Sequence, residues 1–530
     1  MATLQFKGKS FVQNHHLIVK YHQLIPKKAK SLTDKVRLDD NLIIHGDNLK
    51  ALKALLPTYA GKVKCIYIDP PYNTGNEKWA YNDNVNSPMM QEWLGKVVDK
   101  EDLTRHDKWL CMMMPRLKLL KELLREDGII AISIDDTELA SLITLMDEIF
   151  GEGNKEEVIC WRRRHNQPND KSKAISKVAE FVVVYGKNIE FLKKQKTFYG
   201  LPLTGDFANP DNDPRGDWAS KPWKSGSGQT GTRYIIKTPS GKLLDEEWLG
   251  TKETYEQYLK EGRILFPRKG DGLPRKKYYK FEREEEGQCA HNFWGHEEFG
   301  SNQEASEIIK VLNIEFDNPK PVRLIQALLA IFTNKDSIVL DSFAGSGTTA
   351  HAVLALNKED GGNRKFMLVE CEDYADKITA ERVRRVIKGV PAAKDEALKK
   401  GLGGTFSYFE LGKAIEMESI LEGHNLPDYT ELARYVFYTA TGEEFDESGV
   451  DEARQFIGES NDYEVYLLYK PDIEYLKKTA LTLDRAKALG PWKGKRRLVF
   501  APTKYLDQEH LQQLRIDFAQ LPFEIYKFAE

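Results

Sequence analysis

The sequence predicts an α/β fold built around a mostly parallel β-sheet, and three observations support this prediction. Short apolar segments rich in β-branched residues, such as residues 62–68, alternate with segments that carry leucines at helical spacing, such as residues 49–56. This strand–helix–strand order is the repeating unit of parallel sheets. The rhythm is lost between residues 188 and 305 and returns at Asp317. The pattern therefore predicts a parallel α/β domain interrupted by an insertion.

Composition limits the class of protein. The 530 residues are 41% hydrophobic and 30% charged, which is typical of a globular protein with several domains. No apolar run reaches the length of a membrane span and the first ten residues contain no apolar signal core, so we expect no membrane segment and a cytoplasmic location. The five cysteines stand singly, which argues against a disulfide framework and a structural zinc site, and we expect no bound metal. The net charge of −3 restricts any nucleic-acid surface to a local patch.

The elements follow in order along the chain. Asn48 is the expected cap of the first helix, and residues 73–102 are predicted as a long loop. The other predicted strands are 41–47, 128–134, 158–161, 181–185, 336–341, 365–370, 465–469, 497–501 and 523–528, and the predicted helices are 107–125, 136–150, 322–332, 351–357 and 374–387. We therefore divide the chain into an N-terminal arm (1–38), a first α/β half (39–187), an inserted domain (188–305), a second α/β half (306–398) and a small C-terminal α/β domain (399–530).

The segment 65–73, Cys-Ile-Tyr-Ile-Asp-Pro-Pro-Tyr-Asn, predicts a buried strand that ends in a rigid corner. Pro70 fixes its own φ, and Pro71 biases the residue before it away from helical angles. The Pro70 carbonyl is thereby held beside the carboxylate of Asp69, with the ring of Tyr72 beyond it. Two acceptors and an aromatic face suit a planar heterocycle that carries an exocyclic amino group. The alternative is a Pro-Pro turn that ends a core strand.

A Gly-rich turn follows the strand that ends at Asp341. The run Gly345-Ser-Gly347 opens a helix, which is where a backbone approaches a ligand closely. No Gly-Lys-Ser/Thr follows, so the turn does not match a P-loop. Glu370 ends the next strand about twenty residues later, where an acid that binds ribose belongs. By itself the turn fits NAD, FAD or S-adenosylmethionine, or a tight turn without a ligand.

Both motifs together resemble the amino-group DNA methyltransferases of the permuted β class, and in particular the modification (Mod) subunits of type III restriction–modification systems. The resemblance covers roughly residues 40–190 and 315–390. It depends on the order of four motifs: His45-Gly-Asp-Asn48, Asp69-Pro-Pro-Tyr-Asn-Thr-Gly75, Asn318-Pro-Lys-Pro321 and Asp341-Ser-Phe-Ala-Gly-Ser-Gly347. It implies a circularly permuted, Rossmann-like S-adenosylmethionine-dependent methyltransferase fold with a mostly parallel seven-stranded sheet. One departure is Ser342, where many relatives have proline.

The resemblance also implies roles for individual residues. Asp69, Pro70, Pro71 and Tyr72 would be catalytic. The cofactor S-adenosylmethionine would be bound by a set of nine residues, in which Glu370 holds the ribose and Asp47 lies near the adenine: Asp47, Lys320, Asp341, Phe343, Ala344, Gly345, Gly347, Thr348 and Glu370. Double-stranded DNA would be the substrate, and the inserted domain would recognise the target sequence. The expected partners are a second copy of the chain and a restriction (Res) nuclease–helicase subunit.

Candidate DNA contacts are basic residues outside these motifs. Arg162, Arg163 and Arg164 are predicted in a hairpin loop near the catalytic strands, and Lys276 and Lys277 lie among aromatic residues of the inserted domain. For each group the alternative is a solvated surface. His291 and His296 could suggest a metal site, but we favour a packed aromatic loop.

The resemblance, through aspartate rather than serine at position 69, implies methylation of the exocyclic N6 of adenine, although chemistry alone would allow either adenine or cytosine. Hydrogen bonds from the amine to Asp69 and the Pro70 carbonyl would localise its lone pair, and the base would leave the duplex and stack on Tyr72. Three alternatives remain: N4-cytosine methylation, a recognition subunit that mainly directs a nuclease–translocase, and a nicotinamide-linked enzyme, which would leave the Asp69 motif unexplained.

Overall fold

The computed structural model describes residues 4–74, 105–167, 174–201, 206–286, 288–414, 426–443, 445–490 and 492–521. Most of the predicted loop 73–102 and the predicted strand 523–528 lie outside these ranges. The chain divides into two compact units, one formed by Met1–Phe198 with His291–Glu530 and the other by Tyr199–Ala290. None of the described helices is long and apolar enough to span a bilayer.

The strands are numbered in chain order. The first six are β1 (His22–Pro26), β2 (Leu42–His45), β3 (Val63–Ile68), β4 (Leu124–Ile134), β5 (Lys155–Arg162) and β6 (Ala179–Gly186). The second unit contributes β7 (Trp218–Pro222), β8 (Thr232–Lys237), β9 (Leu243–Trp248), β10 (Ile264–Leu265) and β11 (Arg275–Tyr279). The last eight are β12 (Phe293–Trp294), β13 (Ile338–Asp341), β14 (Lys365–Glu370), β15 (Ser407–Ala414), β16 (Phe456–Glu459), β17 (Tyr463–Leu467), β18 (Arg496–Ala501) and β19 (Ile516–Gln520).

The first unit is organised around a ten-stranded sheet with the order β1-β15-β2-β14-β13-β3-β4-β6-β5-β12. Its seven central strands, from β2 to β5, are parallel except for β6, which runs antiparallel to both of its neighbours. The α/β architecture with a mostly parallel seven-stranded central sheet, predicted from the sequence, is therefore confirmed. The sheet is wider than predicted, because β1, β15 and β12 add to its edges. β1 lies within the residues predicted as an arm, and β15 within the predicted C-terminal domain.

The helices cover this sheet. Those of six residues or more in the described part of the first unit are Asn48–Tyr59, Arg105–Leu123, Leu139–Phe150, Ile189–Gln195, Asn302–Val311, Val322–Phe332, Thr348–Asp360, the π-helix Ala375–Ala380 and Glu381–Lys388, with Tyr429–Thr441, Ile473–Lys478, Leu483–Ala488 and Gln508–Gln513 near the C-terminus. Ile66 and Ile68 of β3 pack into the main core with the first three helices. Tyr67, between them, faces the opposite side of the sheet, because side chains alternate along a strand.

Two features complete the fold. Near the C-terminus, β16-β17-β18-β19 form a four-stranded sheet in which only β16 is antiparallel. In the second unit, β10-β11-β7 form an antiparallel sheet beside the β8–β9 hairpin. This unit lies inside the predicted insertion 188–305, and its assignment to target recognition stays a prediction.

Candidate active site

The carboxyl end of β3 turns sharply at the Asp69–Tyr72 motif. The indole of Trp109, in the helix Arg105–Leu123, donates a hydrogen bond to the carbonyl of Pro71 at 2.7 Å. Asn73, the residue after the motif, is buried and has a left-handed backbone conformation with φ 60°. Its side-chain amide donates to the carbonyl of Arg105 at 3.1 Å. The corner is thus fixed on both sides. The carbonyl of Pro70 accepts no hydrogen bond from the part of the chain that the structure describes, which leaves it available to a ligand.

Lys320 places its ammonium group on the acceptors of this corner. Its Nζ donates to both carboxylate oxygens of Asp69 at 2.8 Å and to the hydroxyl of Tyr72 at 2.8 Å. Burial disfavours the charged form of Lys320, but the charges of Asp69 and Glu180 outweigh that effect and raise its pKa. The resemblance implies that Lys320 is a cofactor residue. The structure shows its ammonium at the predicted catalytic carboxylate.

Glu180 is a second carboxylate in the same place. It comes from β6 and is 4% exposed. One oxygen accepts from Arg163 Nη1 at 2.7 Å, and the other accepts from the Tyr72 hydroxyl at 3.2 Å and lies 3.5 Å from Lys320 Nζ. Burial, followed by the charges of Asp69 and Glu180, raises the pKa of Tyr72 well above its usual value, so its hydroxyl stays a donor. The result is a compact network of acceptors arranged around one ammonium.

The Gly-rich turn begins at the carboxyl end of β13, the strand next to β3. Asp341 accepts from the backbone N–H of Phe343 at 3.0 Å and from the hydroxyl of Thr349 at 2.5 Å. Gly345 and Gly347 have φ of 51° and 81°, a conformation that favours glycine. The two hydrogen bonds of Asp341 therefore hold both ends of the turn to the strand that precedes it.

Two carboxyls at this turn have perturbed acidity. Burial raises the pKa of Asp341 to about 7, although the hydrogen bonds from Thr349 and Phe343 oppose the shift. Burial also raises the pKa of Glu370 to about 7, against hydrogen bonds from backbone N–H groups. A dry environment that disfavours carboxylate charge is typical of a functional cleft.

One cavity of about 500 Å³ joins the two motifs. Asp69, Pro70, Pro71 and Tyr72 line it, and so do residues of the turn that begins at Asp341. The volume is within the range of small-molecule and cofactor clefts. Of the nine predicted cofactor residues, six line this cavity: Lys320, Asp341, Phe343, Ala344, Gly345 and Thr348.

The other three predicted cofactor residues support the site from outside the lining. Asp47, not Asn48, caps the helix Asn48–Tyr59, because its side chain accepts from the N–H of Lys50 at 2.9 Å. Glu370 is 1% exposed and accepts from the backbone N–H of Gly345 at 2.7 Å. Gly347 starts the helix Thr348–Asp360. The predicted ribose contact of Glu370 and adenine contact of Asp47 are not shown by this arrangement, and both stay predictions.

The predicted DNA contacts fall into different environments. Arg164 is exposed, whereas Arg162 is half-buried and donates to the carbonyl of His165 at 3.0 Å. Arg163 lines the cavity and is bound to Glu180. Lys276 lies 3.9 Å from the ring centroid of Tyr258.

Lys277 differs from its neighbour. It is 3% exposed, and its ammonium binds Asp213 at 2.9 Å as well as Asp211. This ammonium is therefore part of an ion cluster inside the second unit. We do not retain Lys277 as a phosphate contact, because its side chain is buried and its charge is already balanced.

Four residues of the site were missed from the sequence. Glu180 stands inside an apolar strand, where a lone acid gives no periodic signal. Phe316 and Tyr374, which meet edge to face with centroids 5.8 Å apart, line the cavity beside the turn. Arg382 binds the hydroxyls of the turn from behind. Only Tyr374 had a usable signal, since it closely follows a strand end that was already assigned to the site.

Comparisons with known proteins show the family of the chain. A family model described as DNA methylase matches residues 63–381. That segment contains the corner at Asp69, the turn at Asp341 and the whole of the second unit.

Several curated relatives are restriction–modification proteins. The Mod subunit of the StyLTI type III restriction–modification enzyme of Salmonella typhimurium is 32% identical over 76% of this chain, and the match covers 65% of that subunit. The EcoPI Mod subunit of Escherichia phage P1 is 30% identical over 80% of this chain, and the match covers 74% of that subunit. The type II methyltransferase M.KpnI of Klebsiella pneumoniae is 33% identical over 61% of this chain, and the match covers 79% of that enzyme. The chain thus spans about two thirds to three quarters of the length of the two Mod subunits.

Solved structures give more distant likenesses. The cytosine-N4-specific PvuII DNA methyltransferase aligns with a TM-score of 0.34 and 13% identity over 64% of this chain and 86% of its own. A DNA modification methylase of Thermus thermophilus, solved with S-adenosyl-L-methionine, aligns with a TM-score of 0.31 and 15% identity over 65% and 95% of the two chains.

Proposed function

The chain belongs to the DNA methylase family, and from that membership we propose that it transfers a methyl group from S-adenosylmethionine to the N6 amine of adenine in duplex DNA. The observation that carries the proposal is the ammonium of Lys320, held by Asp69 and Tyr72 in the cavity that also contains the Gly-rich turn. An ammonium and an aromatic amine both donate N–H bonds. Acceptors that hold the first are therefore suited to hold the second.

Asp69 and Pro70 would orient the target amine. The amine of adenine is a poor nucleophile, because its lone pair is delocalised into the ring. Acceptance of its two N–H bonds by the Asp69 carboxylate and the Pro70 carbonyl would localise that pair on nitrogen. The chain's own groups would thus contribute orientation and charge placement, and the Asp69 carboxylate would take the proton that the amine must lose.

Tyr72 would hold the base itself. A base reaches this cavity only outside the helical stack, which costs a few kcal/mol. Stacking on an aromatic ring returns about 1–3 kcal/mol per base. Because the Tyr72 hydroxyl is tied to Glu180 and Lys320, its ring is fixed before a base arrives.

The residues of the turn fit the cofactor. The glycine at position 345 is required by its φ of 51° and by the ring of Phe316, which a Cβ at this position would approach to 3.2 Å. The buried hydroxyl of Ser342 has no partner within the described part of the chain. We assign the methionine portion to Asp341, Phe343, Gly345 and Thr348, and the adenosine to the side of Phe316 and Tyr374. S-adenosylmethionine supplies an electrophilic methyl group when it is bound.

Two further proposals concern the base and the assembly. Aspartate at position 69 favours adenine over cytosine by the resemblance stated above, and N4-cytosine methylation is the alternative. Since two relatives are named Mod subunits of restriction–modification enzymes, we propose that the chain also recognises a DNA sequence for a restriction (Res) partner and acts as a homodimer. Arg162, Arg164 and Lys276 are the proposed DNA contacts.

The experiment is methyl transfer from labelled S-adenosylmethionine to unmethylated genomic DNA. We expect incorporation with the wild-type protein and its loss with Asp69→Asn, which keeps the shape of the side chain but removes its charge. Asp336→Asn, at an exposed loop position, is the matched control and should remain active. Modified-base sequencing of the product should then report N6-methyladenine at one sequence. Undiminished transfer by Asp69→Asn would refute the mechanism, and N4-methylcytosine would refute the assignment of the base.

A further inference from the structure

Arg382 is a buried guanidinium that lies behind the Gly-rich turn. It belongs to the helix Glu381–Lys388 and is 1% exposed. Among the described residues it forms no ion pair, and its Nε has no hydrogen-bond partner. Burial therefore lowers the pKa of Arg382 to about 9. A buried cation without an anion is costly, so its presence here needs a reason.

The guanidinium gives its two shortest hydrogen bonds to the turn, and its Nη2 lies 3.4 Å from Nδ1 of the buried His351 on the helix that follows. Nη1 donates to Ser346 Oγ and to Thr348 Oγ1, each at 2.7 Å. Each hydroxyl therefore acts as an acceptor toward Arg382. In the described part of the chain, the only other partner of either hydroxyl is its neighbour, at 3.4 Å. Both residues line the cavity, so an anion bound there would accept both hydroxyl protons in place of the long contact between the two hydroxyls.

The helix Thr348–Asp360, which starts at the turn, adds to the positive electrostatic potential of Arg382. Thr348–Asp360 begins at Gly347 without a side-chain cap, and its first turn contains no acidic residue. The first N–H groups of a helix have no intrahelical acceptors and form the positive end of its dipole. A buried cation, two hydroxyl donors and an uncapped helix terminus thus converge on one end of the cavity, which is the arrangement that binds an anion.

We propose that Arg382 is a positioning residue that turns the hydroxyls of Ser346 and Thr348 into the subsite for the amino-acid carboxylate of the bound cofactor. The inference rests on the proposed function, because the methionine portion of S-adenosylmethionine supplies this carboxylate. Arg382 does not touch the ligand. It acts by occupying the acceptor side of both hydroxyls and by placing a positive charge behind them, and the incoming carboxylate supplies the anion that the guanidinium lacks.

The test compares two ligands that differ by the carboxylate alone. S-adenosylhomocysteine and its decarboxylated analogue are titrated into the full-length protein by calorimetry. We expect Arg382→Met to weaken the binding of S-adenosylhomocysteine by about ten- to a hundredfold, which is the loss expected for hydrogen bonds to a charged group. The affinity for the decarboxylated analogue should change by less than about threefold. Arg382→Lys should recover part of the loss, because it keeps the charge. Arg385→Met is the matched control on the same helix, since Arg385 pairs with Glu381 at 2.8 Å.

The alternatives give different results. Equal weakening of both ligands by Arg382→Met would show that Arg382 only supports the turn, and no weakening would show that it has no role; either result overturns the proposal. Should Arg382→Met fail to fold, the double variant Ser346→Ala/Thr348→Val decides by the same ligand comparison. A wild-type protein that binds neither ligand would instead overturn the proposed function.

Discussion

The ammonium of Lys320 lies 2.8 Å from each carboxylate oxygen of Asp69, although the two residues are 251 positions apart in the chain. Asp69 and Glu180 both face this ammonium, and Arg163 neutralises only the far oxygen of Glu180. Lys320 is therefore the cation that allows two carboxylates to share one partly dry cavity.

Replacement of Lys320 by methionine should destabilise the protein by about 3 kcal/mol, because removal of one partner leaves a buried charge without compensation. The raised pKa of Lys320 means that its stabilising effect is fully present below the unfolded pKa of about 10.5. The loss should therefore be visible throughout the neutral range in urea unfolding. Lys310→Met, at an exposed position, is the control, and equal stability of the two variants would contradict the prediction.

Substitutions of Tyr72 should separate its hydroxyl from its ring. Tyr72→Phe removes the hydrogen bonds to Lys320 and Glu180 but keeps a stacking face. Tyr72→Ala removes both, and should lower kcat/KM for methyl transfer by a further factor equivalent to about 1–3 kcal/mol of stacking. Steady-state kinetics on DNA measure the difference. Identical values for the two variants would show that no base stacks on this ring.

Asp341 should make the stability of the ligand-free protein depend on pH. Its pKa is raised to about 7 by burial, whereas the unfolded chain releases this proton near pH 4. Between these values the native state binds more protons, so the free energy of unfolding falls as the pH rises from about 4 to about 7. Asp341→Asn lacks this titration. Between pH 4 and pH 7 its free energy of unfolding should therefore rise relative to that of the wild type by up to about 4 kcal/mol.

Urea unfolding at pH 5 and pH 8 tests this prediction. Asp336→Asn serves as the exposed control and should keep the wild-type slope. If Asp341→Asn also kept that slope, the carboxyl of Asp341 would already be ionised at pH 5 and the stated effect of burial would be wrong.

Lys276 and Lys277 are adjacent but should respond to substitution in opposite ways. Lys277→Met removes the buried ammonium from an ion cluster with Asp211, which is exposed, and Asp213, which keeps Arg215 as a partner. It should lower the melting temperature of the second unit. Lys276→Ala should leave the melting temperature almost unchanged. It should weaken DNA binding and reduce the salt dependence of that binding by about one phosphate contact.

Thermal unfolding and DNA titration at several salt concentrations report both effects. The same loss of stability in the two variants would contradict the distinction between a buried and a surface lysine. Unchanged DNA affinity of Lys276→Ala would remove this residue from the proposed interface.

The two motifs could be predicted from the sequence because their conformation depends on local chemistry. Proline fixes the backbone at Asp69-Pro70-Pro71 regardless of its surroundings, and the turn at Gly345 and Gly347 needs positive φ. Continuous apolar runs predicted the central strands, because strands covered on both faces need apolar side chains throughout. The extra strand β1 was missed since its sequence, His-Gln-Leu-Ile-Pro, carries no such signal.

The sequence by itself determined the corner, the Gly-rich turn and the α/β architecture, because each depends on residues that are neighbours in the chain. Only the tertiary structure decided what surrounds them. The strand order places β13 beside β3, and β4 between β3 and β6. The first adjacency brings the turn at Asp341 to the corner at Asp69, and the second brings Glu180 of β6 to Tyr72. The packing of the second unit buries Lys277, while Lys276 remains more exposed. Burial and charge pairing are properties of the packed sheets and helices, and no local pattern encodes them.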